Sequence, residues 1–92
     1  MVENSRNKIY YECSITLTGD KSKIKSLVET MGWNFSTVDI DEEISYIATK
    51  RYEVANLQDE DVLQHLLGAR RWLNLCGVNV VKDKLSAILF VS

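Results

Sequence analysis

The residues that most often perform chemistry are few in this sequence, and they are not grouped. His65 is the only histidine, and no nucleophile or carboxylate stands at a fixed spacing from it that would indicate acid–base or nucleophilic catalysis. The four glycines are isolated and do not form a phosphate-binding loop. The sequence therefore predicts a protein that is not an enzyme and that needs no cofactor.

The residues that bind metals are also poorly placed for a metal site. Cys13 and Cys76 lack a metal-ligand spacing, and both fall on predicted apolar faces. We interpret them as reduced core thiols, with a disulfide between them as the alternative if strand and helix end lie together. Carboxylates in the segment 39–43 have the oxygen ligands that a hard cation prefers, but a solvated acidic turn is far commoner. We expect no metal.

Size and composition indicate one globular domain. The chain has 92 residues, of which 46% are hydrophobic and 26% charged, and its net charge of −2 gives no overall attraction to nucleic acid or to anionic lipid. No segment approaches the ~20 apolar residues of a membrane span, and the polar N-terminus lacks the apolar region of a secretion signal. We expect a disordered tail over residues 1–7, a single domain over residues 8–92, no membrane association and a cytoplasmic location.

Two periodicities predict the elements of this domain. Apolar residues alternate over residues 8–18, 33–40 and 44–53, as in strands with one buried face, and a β-branched run follows Gly77. Helical spacing covers 24–31, after Asp20 as the N-cap, and the longer stretch 58–76. Lys82-Asp83-Lys84 interrupts the last strand, where we expect a bulge or a hairpin-like kink. The apolar stripe of the second helix is Val62, Leu66, Ala69, Leu73 and Cys76, widened on one side by Leu63 and Leu67.

The order strand, helix, strand, strand, helix, strand predicts a ferredoxin-like α+β sandwich. In this βαββαβ fold, two strand-helix-strand units give a four-stranded antiparallel sheet with both helices on one face. The first and third strands are then central, and the other face of the sheet is open. The fold itself selects no function, so the function must come from the exposed surfaces.

The open sheet face is one candidate surface. Tyr10 and Glu12 of the first strand are expected there, beside one of the two faces of the third strand, and the sequence does not decide which. Aromatic and basic residues on that face would allow stacking of single-stranded bases. The motif of RNA-recognition strands is absent, so nucleic-acid binding is the alternative function. It would use Tyr46, Lys50, Arg51 and Tyr52.

Binding of another protein is the leading hypothesis. An open sheet face, or an edge strand that carries Trp33 and Phe35, is a natural docking surface for a partner or for a second copy of the chain. Trp72 lies off the apolar stripe of its helix beside Arg71, and both residue types are enriched at interface hot spots, although Trp72 can also shield the core. We therefore expect a protein-binding module, as a homodimer or a subunit of a complex. Its predicted contact residues are Tyr10, Glu12, Trp33, Arg71 and Trp72.

Three blocks, 10–17, 46–50 and 77–85, resemble a family of small ferredoxin-like proteins of large phages and bacteria. In that family histidines accompany the first two blocks, whereas Ser14 and Arg51 stand near those places here. An activity that depends on those histidines is therefore not expected. The resemblance implies an accessory protein that binds a host or defence factor and modulates or inhibits it.

Overall fold

The fold is the ferredoxin-like α+β sandwich that the sequence predicts. The computed structural model describes residues 7–53 and 59–91. Four antiparallel strands form one sheet in the order β2-β3-β1-β4, so that β1 and β3 are central and β2 and β4 are the edges. Neither described helix is long and apolar enough to cross a membrane. The elements are β1 (Asn7–Thr18), α1 (Lys21–Thr30), β2 (Asn34–Ile40), β3 (Glu43–Glu53), α2 (Asp59–Leu75) and β4 (Asn79–Val91).

β1 begins one residue earlier than the sequence predicts. The tail was predicted to include Asn7, but this residue begins β1 and pairs with Val91 at the end of β4. The rest of the predicted tail, residues 1–6, lies outside the described residues, as does the predicted loop at 55–57.

The two helices form where caps and apolar spacing predict them. The Asp20 carboxylate accepts a hydrogen bond from the backbone N–H of Lys23 at 2.9 Å, which is the N-cap geometry. α1 ends at Thr30 with Met31 as the C-cap, and Gly32 then adopts a φ of +79°, which favours glycine. The Trp33 N–H donates back to the Val28 carbonyl at 3.1 Å. This bond fixes the direction in which Trp33 leaves the helix.

The buried stripe of α2 is narrower than predicted. Val62, Leu66 and Leu73 are fully buried, but Leu63 and Leu67 are 41% and 40% exposed. At 100° per residue, these two positions lie about 60–100° around the helix from Leu66, the nearest residue of the buried stripe. Leu63 and Leu67 therefore widen the apolar stripe beyond the part of it that is buried.

One core lies between the helices and one face of the central strands. Both helices contribute to it, which places them on the same side of the sheet and leaves the other side open. Because Tyr46 and Ala48 are buried there, the helix-facing residues of β3 are the even-numbered ones. The core consists of Cys13, Ile15, Leu17, Ile24, Val28, Trp33, Tyr46, Ala48, Val62, Leu66, Leu73 and Val78.

The last strand is continuous and contains a bulge. Thr16 pairs with Lys82 and Leu17 pairs with Val80, so Val81 is an extra residue in β4. The predicted bulge is thus present next to the Lys82-Asp83-Lys84 segment, and the alternative, a hairpin-like kink, is not.

Candidate interaction surfaces

The open sheet face is polar and rich in hydroxyl groups. At its centre the Arg51 guanidinium donates a hydrogen bond to the Glu12 carboxylate, with 3.0 Å between Nε and Oε2. In the next rows Ser14 lies between Thr49 and Lys84, and Thr16 lies between Ile47 and Lys82. The arginine charge is compensated by Glu12, so the cations left on this face are concentrated along β4.

The four residues of the predicted nucleic-acid site do not share one surface. Arg51 lies on the open face, whereas Lys50 and Tyr52 lie on the helix-facing side, together with Tyr46, which is only 7% exposed. Alternation along β3 causes this separation, because neighbouring residues of a strand point to opposite faces. The predicted set of four is therefore not assembled into a single platform.

The predicted protein-binding residues occupy three separate places. Tyr10 and Glu12 are half-buried on the open face, and Arg71 is exposed on the solvent side of α2. Trp33 is 7% exposed and belongs to the core, so its prediction as a contact residue fails: the cap of α1 directs it inward. Trp72 packs against the core as a partly buried residue, which matches its alternative interpretation as a shield.

A cluster of polar residues lies on the helix-facing side, near the end of β3. The rings of Tyr52 and His65 stack with 5.2 Å between their centroids, and Lys50 Nζ lies 5.5 Å from the centroid of Tyr52. The Lys50 ammonium also lies near the Gly32 turn, at the C-terminal end of α1, where the helix dipole favours a cation. His65 in addition lines a shallow depression along α2.

The chemistry available to this cluster is limited. Burial raises the pKa of the Cys13 thiol to about 11 and, with a smaller effect of Cys13 itself, also raises the pKa of Tyr52. A thiol that keeps its proton at neutral pH is a poor nucleophile. Among the described residues no group of histidine, cysteine and carboxylate side chains could hold a metal ion. The stack of Tyr52 on His65 joins β3 to α2.

The β4 edge (residues 79–91) is protected against the addition of another strand. It contains the bulge at Val81, and the exposed lysines Lys82 and Lys84 follow directly. Asp83, on the helix-facing side, accepts a hydrogen bond from Arg70 of α2 at 2.8 Å. Bulges and lysines are the features by which natural sheets prevent pairing at an edge.

The β2 edge (residues 34–40) has none of these protections. Its first five residues, 34–38, carry no charge, its register with β3 is regular throughout, and the chain contains no proline. The strand is held firmly from the inside, because the Phe35 ring stacks on Tyr46 with centroids 5.6 Å apart. An edge that is fixed, regular and free of charge over 34–38 is the kind that accepts another strand.

The β2–β3 turn determines which backbone groups of β2 point outward. Only Asp41 and Glu42 separate the strands, with φ of 51° and 68°, and Ile40 pairs with Glu43 across them. In such a two-residue hairpin the pair that closes the turn exchanges both hydrogen bonds, and the pattern then alternates. The N–H and C=O groups of Phe35, Thr37 and Asp39 therefore point away from β3, towards the edge.

The sequence predicts a docking edge that carries Trp33 and Phe35; the structure places Phe35 in β2 and Trp33 in the core before it. The lack of charge and proline over 34–38, in contrast to Lys82-Asp83-Lys84 at the other edge, is visible in the sequence but is not part of that prediction. The stack of Tyr52 on His65 was also missed, because residues so far apart in sequence show no joint pattern.

No model of a known protein family matches this chain, and a search of curated proteins finds no match to its sequence.

Proposed function

We propose that the protein is a non-enzymatic binding module that takes up a strand of a second protein molecule at the β2 edge. The observation that supports this proposal is the contrast between the two edges: β4 carries a bulge and two exposed lysines, and β2 carries neither. A sheet that needed only to avoid pairing would protect both edges. We interpret the difference as selection for a docking strand.

In strand addition, the backbone supplies the binding energy and the side chains supply the selectivity. The outward backbone groups of Phe35, Thr37 and Asp39 bind the incoming main chain, whatever its sequence. Selectivity then comes from the side chains beside the new strand, with Asn34, Ser36 and Val38 on the open face. An accessory protein that modulates another protein by covering one of its strands would act in this way.

Proline at position 37 is the most direct test of the proposal. Thr37→Pro removes an outward N–H without removing a hydrogen bond between β2 and β3, and proline is tolerated at such edge positions. Thr37→Val keeps the N–H and serves as the matched control. The tagged wild type and both variants are used for pull-downs from lysate of the native host cells, each with and without nuclease treatment.

The proposal expects a protein that the wild type and Thr37→Val retain at a fixed ratio, with or without nuclease, and that Thr37→Pro loses. Equal retention by all three chains would place the contact elsewhere. Loss of the bound material on nuclease treatment would favour the alternative, single-stranded nucleic acid on the open face. Binding there would depend on Lys82 and Lys84 and would weaken steeply with salt.

A further inference from the structure

We infer that the strand taken up at the β2 edge is β2 of a second copy, paired antiparallel about a two-fold axis at Thr37. This inference rests on the proposed function, because it requires that β2 is the docking strand. It adds the identity of the partner and the register of the pairing.

The backbone groups of β2 are self-complementary about Thr37. The outward residues Phe35, Thr37 and Asp39 are evenly spaced around it. In the antiparallel arrangement Thr37 exchanges hydrogen bonds with Thr37 of the second copy, and Phe35 exchanges them with Asp39 of that copy, in both directions. This pairing forms about six backbone hydrogen bonds and leaves no outward group in the segment 35–39 without a partner.

The side chains of β2 also fit this register. Threonine opposite threonine is a favourable cross-strand pair, and Ser36 lies opposite Val38 of the second copy. The only charge within the paired strand, Asp39, lies opposite Phe35 and not opposite its own copy. Self-pairing of β4 about Asp83 would instead place Lys82 opposite Lys84, where like charges are destabilising.

Charge along the β2–β3 hairpin favours the antiparallel orientation. The turn end carries Asp41, Glu42 and Glu43, and the Lys50 ammonium lies at the other end, near Gly32. Antiparallel pairing brings the acidic turn of one copy to within two strand spacings, about 10 Å, of Lys50 in the other. That distance is close to the Debye length at 0.1 M salt, so the attraction between the acidic turn and the Lys50 ammonium is only partly screened. Parallel pairing would place the two acidic turns together.

The two-fold axis stands perpendicular to the sheet in this arrangement. The two sheets then join into one continuous sheet, in the order β4-β1-β3-β2 followed by the same strands reversed. The helices of both copies lie on the same side, and both open faces lie on the other. Each copy contributes the same patch, as in an isologous dimer.

Sedimentation and light scattering over a range of concentrations test the dimer. We expect the wild type to dimerise. Thr37→Val loses the threonine pair but keeps both backbone N–H groups, so its Kd should stay within about fivefold of the wild-type value. Thr37→Pro removes two of the bonds, one from each copy, and at roughly fivefold for each bond its Kd should rise about 25-fold. A circular dichroism spectrum like that of the wild type shows that the variant is folded.

Cross-linking tests the register without relying on proline. In a Cys76→Ser background, Thr37→Cys places two thiols on residues whose Cα atoms lie about 5.5 Å apart, within disulfide range. The matched control Asn34→Cys is exposed on the same strand, but its two copies would lie about 20 Å apart. Mild oxidation should form a disulfide between two copies of Thr37→Cys and none between two copies of Asn34→Cys.

The outcomes separate this inference from the proposed function. A wild type that stays monomeric at all concentrations, with no cross-link at position 37, overturns the self-pairing. If Thr37→Pro still loses a captured protein of another kind, the β2 edge remains a docking strand. A dimer with an unchanged Kd in Thr37→Pro and equal cross-linking at both positions overturns the inference, and it removes the support for the β2 edge as well.

Discussion

Replacing Glu42 by glycine should stabilise the protein, because Glu42 adopts a backbone conformation that glycine adopts more easily. Asp41 and Glu42 form the two-residue β2–β3 turn with φ of 51° and 68°. Both therefore lie in the left-handed region, as a type I′ hairpin turn requires, and glycine is strongly preferred at the second position. A residue other than glycine, asparagine or aspartate has a clear cost there.

Two opposing effects determine how much Glu42→Gly changes the free energy of unfolding. The left-handed conformation costs about 1–2 kcal/mol for a residue with a Cβ, and the greater freedom of glycine in the unfolded chain offsets about 0.5–1 kcal/mol of the gain. Glu42→Gly should therefore raise the free energy of unfolding by about 0.5–1 kcal/mol. For a domain of 92 residues this corresponds to a rise in Tm of about 2–8 °C.

Glu43→Gly is the matched control, since it removes the same charge one residue later. Glu43 is the first residue of β3 and pairs with Ile40, so glycine gains no conformational relief there and should lower stability by about 0.5–1 kcal/mol. Urea unfolding at pH 7, followed by circular dichroism, measures both variants. Stability changes of the same sign would show that charge, and not the backbone of the turn, determines the effect.

Further predictions concern the core, a helix cap and pH. Leu66→Ala should lower the free energy of unfolding by about 2–5 kcal/mol. Leu67 is 40% exposed, so Leu67→Ala should lower the free energy of unfolding by less than about half as much. Equal losses of stability in urea unfolding would contradict the burial of Leu66. Asp20→Ala removes the acceptor of the Lys23 N–H and should cost about 1 kcal/mol, with Asp20→Asn retaining most of the stability. Burial raises the pKa of the Cys13 thiol from 9.0 to about 11, so the unfolded chain loses this proton at a lower pH than the folded protein. The contribution of this thiol to the free energy of unfolding should be fully present below pH 9, and up to about 3 kcal/mol should be lost as the pH rises to 11. In Cys13→Ala the fall in the urea midpoint over that range should be smaller, and identical slopes would disprove the linkage.

The fold could be predicted because its signals are local. Clean alternation around Cys13 and Ile15 identifies β1, and the Asp20 cap with Ile24 and Val28 identifies α1; the structure buries the same residues. The buried face of β3 could not be predicted, because Tyr46 and Ile47 are both apolar and large. Only the pairing of β3 with β1, and the helices above, place Tyr46 in the core.

The candidate site was harder to predict than the fold. Trp33 has the residue type of an interface anchor, but the bond from its N–H to Val28 directs it inward, and a tertiary contact of this kind has no sequence signature. The Arg51–Glu12 ion pair likewise depends on the register of two strands 39 residues apart in the chain. What the sequence does contain is the difference in charge between 34–38 and 82–84, which becomes informative once both segments are known to be edges.

The bulge and lysines of β4 also set how many strands this sheet can acquire. A sheet with two accepting edges has a valency of two, so each added molecule presents a new edge and growth can continue into a fibre. With β4 protected, the valency falls to one. When the strand taken up by β2 is that of a second copy, both outer edges of the joined sheet are protected β4 strands. The assembly then ends at two copies, and the exposed β2 edge carries little risk of open-ended aggregation.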